Sequence, residues 1–564
     1  MATDDIHEYH HSTDWQPFQI DNPKAPGYVR VVTSGNTKTC KALLNEDACL
    51  VIKVMVTEGE FTPGDRIELI IGDMSGGSEG SRAQIFQQKE FSFYAFVDAA
   101  GHGHYFAQPD PPKIRIKGGE AKRIKVIAPS IVFIGEAFEA GVRAEDRYGN
   151  TACGYDADLR VKIDGKYLER AEIETLNSNN ATRKIKGLRL MDKGRYLIEL
   201  EDSRGIKAVS NYIECRDDRE AYKIYWGDIH GHISMMDSVG TVPEYYDFAR
   251  NESFLDFVCL SEHMDSFAGG RQASNEAQWE AIKEGVRKYH DPGKFVTLLG
   301  YENSETWDAN IYFRTDDAPW HVDSFANRLF EFAKKHGGII IPHMTTYPQR
   351  LRGYDWANYD REVVPAIEIY STHGSSEYFG GERPLGDCEP GGYAVEALDR
   401  GCKLGFIGSG DGHDCMPGNS IWTRYINGLV AVYARELTRD AIIDAIQARR
   451  CYATTNERIL AWFSVNGCMM GSDIVLERDD RVKIDVSILA TNDIENVHII
   501  KNGKIIFSKR GSGRICEFRY EENVDQKGHN YYYVKMKQKD GQMVWLSPVF
   551  VNNRKNRSGQ EIVR

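Results

Sequence analysis

Tyr225-Trp226-Gly227-Asp228-Ile229-His230-Gly231-His232, with Asp237 five residues further on, organises the middle of this 564-residue chain. Its apolar lead-in predicts a buried strand running into a loop. Residues two apart in an extended backbone share a face, so His230 and His232 point the same way. Two neutral imidazoles at a strand end, with a carboxylate nearby, suit a divalent transition metal. A single His-x-His is a weak signal. This one gains weight because similar signals follow it.

Each of the next apolar runs also ends on a metal-competent side chain. Phe257–Ser261 leads to Glu262-His263, Phe295–Gly300 to Tyr301-Glu302, and Gly338–Pro342 to His343. Ala366–Tyr370 leads to His373, and Lys403–Ser409 to Asp411-Gly412-His413. Continuous apolar runs are the mark of strands buried on both faces. Helix-like periodicity covers Ser274–Tyr289 and Val322–Lys335 between them. Alternating strands and helices predict βαβ units and a mainly parallel sheet, with the ligand site at the carboxyl ends of the strands. Core packing gives no reason for His, Glu and Asp to close successive strands, and burying them unpaired is costly.

The order His-x-His plus Asp, Ser-Glu-His, Gly-x-Glu, Pro-His, a lone His and Asp-x-His resembles the polymerase-and-histidinol-phosphatase (PHP) class of metal-dependent hydrolases. Glu436-Leu437-Thr438 through Cys451-Tyr452-Ala453-Thr454-Thr455 is similar to a bacterial branch of PHP-like proteins related to carbamate and aryl-ester metallohydrolases. The resemblance spans residues 220–460. It implies an α/β fold: a distorted (β/α)7 barrel with two or three divalent ions, zinc, manganese or iron. It further implies one ion on His230, His232 and Asp411, with Glu302 bridging to a second ion on His343 and His373. Asp237, His263 and His413 match the positions of a third. The chain departs from the family at Glu262, where Asp usually precedes the His, and at Asp237, where many members have His.

A site of this type implies metal-dependent hydrolysis by an activated water, with Glu302 between the ions and Asp411 or His263 as proton donor to the leaving group. Asp228 is expected to orient an imidazole from behind the site, as carboxylates beside metal-bound His do. Glu262 is placed in the same outer layer. Glu368 is either such a residue or a plain strand residue. Tyr301, Trp307 and Tyr370, with Tyr347, either wall a small-molecule pocket or pack the barrel mouth. Arg350, Arg352 and Arg383 are the few cations near the motifs, which favours a neutral ester, amide or carbamate over a phosphoester. A PHP-type phosphoesterase is the alternative within enzymes, and a metal-assisted lyase a third. From another class, a binding or scaffold protein with a degenerate metal site remains open. His102 and His104, in a Gly-rich β region without acidic partners, are read as a decoy, and His7, His10 and His11 as solvated. Cys415 is a minor candidate ligand and Cys259 a small core residue.

The flanks read as β domains. An irregular arm (1–48) precedes an N-terminal β domain (49–110) that ends near Pro111-Pro112. A β-sandwich (111–217), the α/β metal domain (218–457), a C-terminal β-sandwich (458–553) and a polar tail (554–564) follow. Asn502-Gly503 between apolar strands predicts a tight hairpin. The β domains buttress the core or mediate homo-oligomer contacts. A net charge of −13 argues against nucleic-acid and anionic-membrane partners. The start lacks a basic, apolar leader, and no run of apolar residues is long enough to span a membrane. Eleven cysteines without Cys-x-x-Cys spacing favour a reducing cytoplasm.

Overall fold

The computed structural model describes residues 15–34, 39–45, 48–168, 172–178, 180–219, 221–234, 238–264, 276–305, 307–323, 325–348, 352–477, 480–523 and 529–553. His7, His10, His11, Asp237, Arg350 and the tail 554–564 lie outside the described residues. The chain divides into two compact units, residues 5–117 and the chain from Gly118 onward.

The first unit consists of antiparallel pairs: Val29–Thr33 with Ile67–Ile71, Thr39–Asn45 with Ala48–Glu58, Gln88–Ser92 with Lys113–Ile116, and Phe96–Val97 with Phe106–Ala107. The stretch 1–48, expected to be irregular, thus carries two strands. Val29–Thr33 escaped the reading because its partner lies beyond an intervening hairpin. His102 and His104 sit exposed in the last hairpin loop, where the Asp98 carboxylate accepts the His102 and Gly103 amides at 3.2 and 2.7 Å.

The second unit opens with a β-sandwich. One sheet orders Glu172–Thr175, Thr182–Arg189, Ala137–Glu145 and Arg123–Ile127; another orders Lys166–Tyr167, Leu159–Ile163, Ile198–Asp202 and Lys207–Val209. Their inward residues, among them Val126, Val142, Val161, Ile185 and Leu200, form one core.

The central region, which carries the His, Glu and Asp motifs, follows as β1 (Lys223–Asp228), α1 (Val242–Asn251), β2 (Phe257–Leu260), α2 (Glu276–Tyr289), β3 (Val296–Asn303), β4 (Ala309–Phe313), α3 (Ala326–His336), β5 (Gly338–Pro342), β6 (Ala366–Ser371), α4 (Ala394–Asp399), β7 (Gly405–Gly408), β8 (Leu429–Ala434), α5 (Arg439–Gln447) and β9 (Cys451–Thr454). β1, β2 and β3 are parallel neighbours. Local signals place the helices between them. Thr241 caps α1 through the Glu244 amide, and the Tyr245 hydroxyl then ties α1 to the Cys259 carbonyl on β2 at 2.9 Å.

The (β/α)7 barrel expected from the strand ends does not form. β4 returns antiparallel to β3, and β5 antiparallel to β4, as a meander rather than a βαβ unit. On the other side β8 runs antiparallel to β1 and passes the sheet on to β9. β6 and β7 are a separate parallel pair, so the sheet stays open. The physical reason is that burial on both faces removes hydrophobic alternation whatever the strand direction. The reading also passed over β4 and β8, the two strands that reverse direction. β-structure dominates, with thirty-nine strands against five α-helices among the described residues.

Past β9 the sheet continues through Met543–Leu546, His529–Gln538, Ile494–Lys501 and Lys504–Arg510. Leu460–Val465, Arg481–Leu489 and Ile515–Asn523 form the opposing layer of a C-terminal sandwich. One of its layers is therefore an extension of the central sheet. The hairpin at Asn502-Gly503 has φ of 48° and 70° at its two central residues, the left-handed pair such a turn needs and Gly tolerates without strain. No helix among the described residues is long and apolar enough to cross a membrane.

A buried charge cluster ties the first sandwich to the central region. Glu145 accepts Arg143 at 2.5 Å and pairs with Arg123, while Arg143 Nη1 donates to the Glu252 carbonyl at 2.9 Å. Burial pushes the Glu145 carboxyl up, but Arg143 and Arg123 outweigh it and hold it at about 2. A depressed carboxyl stabilises the fold above its unfolded pKa, and that stability is lost as pH falls through the folded value. The shift corresponds to about 3 kcal/mol. Glu145→Gln, which leaves Arg143 buried without its counter-charge, should lower the thermal midpoint at pH 7 by an amount equivalent to about 3–5 kcal/mol. The gap to the parent protein should narrow between about pH 4.5 and pH 2. A gap that stays constant in thermal melts across that range would count against the pair.

Candidate metal centre

Backbone pairing beyond the strand ends assembles the site. Asp411 N donates to the His230 carbonyl at 2.8 Å and His232 N to the Gly412 carbonyl at 2.9 Å, which laces the loop after β7 to the His-x-His segment. Gly410 is needed there, since a Cβ would lie 2.6 Å from Asn427 Oδ1 and 2.7 Å from Asp228 Oδ2. Asp411 adopts φ +53°, a left-handed conformation that Asp tolerates better than most residues. The β2–β3 pairing also runs past the strands: Glu302 N donates to the Glu262 carbonyl at 3.0 Å, which brings His263 level with Glu302.

The side chains converge on two carboxylates. Glu302 Oε2 lies 3.5, 3.3 and 3.2 Å from His230 Nε2, His232 Nε2 and His263 Nδ1, and Glu302 Oε1 lies 2.6 Å from His343 Nε2. Asp411 Oδ1 is 3.4 Å from both His230 Nε2 and His232 Nε2. Its Oδ2 is 3.6 Å from His343 Nδ1 and 3.3 Å from His373 Nε2. Glu302 and Asp411 therefore each span two groups of imidazoles. Glu368 Oε2 meets His230 Nδ1 at 3.0 Å, leaving Nε2 directed at the two carboxylates. Glu262 accepts the Ile233 amide at 2.8 Å and lies 3.6 Å from His232 Nδ1.

Four overlapping groups bring ligand atoms close enough for a shared ion: His230, His232 and Glu302; His230, His343, Glu368 and Asp411; Glu302, Asp308 and His343; and His232, His263 and His413. The first three differ from the two expected ion positions: Asp411 groups with His230, His343 and Glu368 and not with His230 and His232, Asp308 joins Glu302 and His343, and His373 belongs to no group but approaches Asp411. The fourth brings His263 and His413 together as expected, with His232 as the third member. Cys415 belongs to none of these groups, and Cys259 is buried in the core.

Charge inside the cluster is compensated internally. Burial raises the Glu302 and Asp411 carboxyls, but His263 and His343 outweigh it for Glu302, and His230 and His373 for Asp411, so both sit well below the usual range. Burial also opposes a charged His230, yet Asp411 and Glu368 hold it well above the ordinary imidazole value. His232 is raised to about 9, its burial outweighed by Asp411 and Glu262. Burial depresses His373 and His413, which favours neutral rings. Several polar atoms in this interior have no hydrogen-bond partner, including Glu302 Oε2, His232 Nδ1 and His343 Nδ1. Buried polar groups are seldom left so. Imidazole and carboxylate donors with orphaned atoms fit a divalent transition ion.

The other expected residues fall elsewhere. Tyr301 alternates with Glu302 along β3, so it faces the opposite side, packs edge-on against Trp279 and hydrogen-bonds the His321 carbonyl. Trp307 packs on Tyr354 at 4.8 Å. A register shift between Glu368 and Tyr370 turns Tyr370 away from the site to stack on Trp545 and donate to the Ile426 carbonyl. None of the three lines the centre. Asp228 orients no imidazole; it accepts the Gly410, Gly418 and His230 amides at 2.8, 2.7 and 3.3 Å. Burial raises its carboxyl to about 6 against those three bonds. Arg352 is engaged by Asp308 at 3.0 Å, and Arg383 by the Tyr370 hydroxyl and the Gly541 carbonyl, both at 2.8 Å.

Two neighbours were missed. Asp308 follows the Glu302 strand with no motif to mark it. Trp422 stacks on His413 with ring centroids 4.0 Å apart and approaches His373 edge-on at 5.9 Å. It lies on an irregular stretch whose only signal was an isolated Trp near the Asp-x-His motif.

Residues 413–475, from His413 into the C-terminal sandwich, match a family described as "Protein of unknown function (DUF3604)". An uncharacterized protein of Chlamydia pneumoniae is 26% identical over 532 residues, covering 87% of this chain and 84% of its own. One from Chlamydia muridarum is 25% identical over 580 residues, covering 96% and 92%. The likeness thus runs along nearly the whole chain. Among solved structures, PhoD aligns with 78% of this chain and 93% of its own at 10% identity and a TM-score of 0.19. Fibronectin(III)-like modules of Clostridium thermocellum CbhA align with 15% and 91% at 20% identity and a TM-score of 0.12. Scores this low carry no argument about fold.

Asp228→Ala should strip the Gly410 and Gly418 amides of their acceptor, each orphaned donor costing about 1–3 kcal/mol. Tyr301→Phe should cost no more than about 1.5 kcal/mol, the usual worth of one hydrogen bond. Thermal melts of the two variants test this ordering, and equal loss in both would reject the role given to Asp228.

Proposed function

We propose that this chain is a divalent-metal-dependent hydrolase acting on a small ester, amide or carbamate. The observation that carries the reading is Glu302 Oε2, a buried carboxylate oxygen without a hydrogen-bond partner, faced by imidazole nitrogens of His230, His232 and His263 at 3.5, 3.3 and 3.2 Å. Such an arrangement suits an intervening cation better than direct contact. His230, His232, Glu302, His343 and Asp411 would hold the ions, with Glu368 steadying the His230 ring. A divalent ion held there polarises the scissile group and lowers the pKa of its water to about 7. The likeness to PHP metallohydrolases lies in the order of these donors and not in a barrel.

The protein's own groups then have distinct tasks. His263 and His373 have side chains about 14% exposed, whereas His230, His232, Glu302, His343 and Asp411 are nearly sealed, so a substrate approaches from the side of those two rings. Asp411, whose Oδ2 lies 3.3 Å from His373, is placed to pass a proton towards that open side, and His263 is the other candidate donor. Arg352 and Arg383 are already bound to other groups, which supports a neutral substrate over a phosphoester.

Protein freed of metal by chelation should gain thermal stability on adding zinc or manganese, by about 3 kcal/mol at a hundredfold excess over the Kd. Hydrolysis of an aryl ester should be lost with the chelator and return with the ion. His230→Ala combined with His232→Ala should abolish turnover and most of the ion-induced stabilisation while keeping the far-ultraviolet circular dichroism. Full activity in that double variant would refute the proposal. Faster hydrolysis of a matched phosphate ester would move the reading to a phosphoesterase.

A further inference from the structure

Asp308 stands just before β4 and is 1% exposed. The antiparallel ladder sets Glu302 opposite Asn310 and Asn310 opposite Ile341. Two residues along, His343 N donates to the Asp308 carbonyl at 3.0 Å, so Asp308 and His343 sit side by side one rung beyond Glu302. Ligand atoms of Glu302, Asp308 and His343 lie within 4.8 Å of one another. One Asp308 oxygen, Oδ1, is held by Arg352 Nη1 at 3.0 Å; the other, Oδ2, is buried and makes no hydrogen bond. The neighbouring residues also carry unsatisfied atoms: Glu302 Oε2, His343 Nδ1 and both amide atoms of Asn310, which is fully buried opposite Glu302.

A structural Arg–Asp pair accounts for Oδ1 and leaves Oδ2 unexplained. A buried carboxylate oxygen without a donor is expensive, and nearby orphaned oxygens and ring nitrogens compound that cost rather than relieve it. A cation bound at Oδ2 removes the difficulty there. Glu302 and Asp308 together carry the two negative charges that a divalent ion neutralises, and His343 adds a neutral nitrogen donor. Arg352 would fix the direction of the carboxylate from behind, as groups hydrogen-bonded to metal-ligating carboxylates do.

We infer that Asp308 is a metal ligand, closing the Glu302–His343 end of the centre through Oδ2, and that Arg352 is its positioning residue. The inference rests on the metal-binding reading above and extends its ligand set. Ion content and affinity test it without reference to turnover. Metal-stripped full-length protein is titrated with cobalt, with the visible spectrum reporting coordination and elemental analysis counting retained ions. The parent protein should bind at least two ions per chain. Asp308→Asn should weaken one of them by about 10-fold or more and change the cobalt bands of that ion, leaving the others in place. Should Asp308→Asn fail to fold, Asp308→Asn with Arg352→Gln removes both charges together and should show the same loss. Unchanged stoichiometry, affinity and spectrum in whichever variant folds would overturn the assignment while leaving the metal centre standing. A parent protein that binds no ion would overturn both.

Discussion

Glu302 and Asp411 impose the constraint on which the central region depends. Two carboxylates, 2% and 3% exposed, share a solvent-poor interior with the imidazoles of His230, His232 and His343. Neither set tolerates that interior alone, since burial disfavours the charged form of each. Together they hold one another ionised, the carboxyls low and His230 and His232 high. The compensation is tight only when ring nitrogens and carboxylate oxygens are fixed to within a few tenths of an ångström. Loops alone do not provide that, and much of the surrounding structure is explained by supplying it.

The supply comes in layers. Asp228 uses both oxygens on backbone amides to fasten the loop after β7 to the end of β1, and Glu262 fastens the segment after His232. The first sandwich reaches the same loop from outside: Asn419 Nδ2 donates to the Gly149 carbonyl at 2.9 Å, and Lys125 Nζ donates at 2.8 Å to Asn456 Oδ1 beyond β9, whose Nδ2 donates to the Gly418 carbonyl of the loop at 2.9 Å. The C-terminal sandwich braces the loop beyond His373. Glu377 is buried and takes up the Tyr533 hydroxyl, the Lys535 ammonium at 2.6 Å and the Trp545 indole at 2.9 Å. A buried ion pair adds little net stability, but it disfavours any other placement of its partners. The β domains of this unit thus act on the site through its loops.

How much of this was legible in the sequence varies with the kind of order involved. The convergence of the His, Glu and Asp side chains was legible, because burying such groups at successive strand ends is costly unless they meet one another. The open, mixed sheet that stands in place of the expected barrel was not, because direction leaves no trace in a strand buried on both faces: Ala309–Phe313 and Leu429–Ala434 are apolar runs like the others, yet both run backwards. Side-chain facing was legible only where alternation is regular. It separates Tyr301 from Glu302, but the one-residue slip after Glu368 removes Tyr370 from the site with no local signal. Asp308 and Trp422 were invisible for a third reason. Their roles rest on neighbours far away in sequence, Arg352 and His343 for one, His373 and His413 for the other.

The sharing of ligands has a consequence for how the centre responds to change. His230 belongs to two of the four ligand groups, as do His232, Glu302 and His343. Removing any one of them withdraws a donor from two places and unbalances the charge of the carboxylates between. Effects of paired substitutions within the cluster should therefore depart strongly from additivity, as they do wherever side chains share partners. Residues at the margin behave differently. His373 reaches only Asp411, and both it and His263 retain solvent contact, so water can partly replace what either loses. Among the described residues these are the two rings of the cluster that keep the most solvent contact.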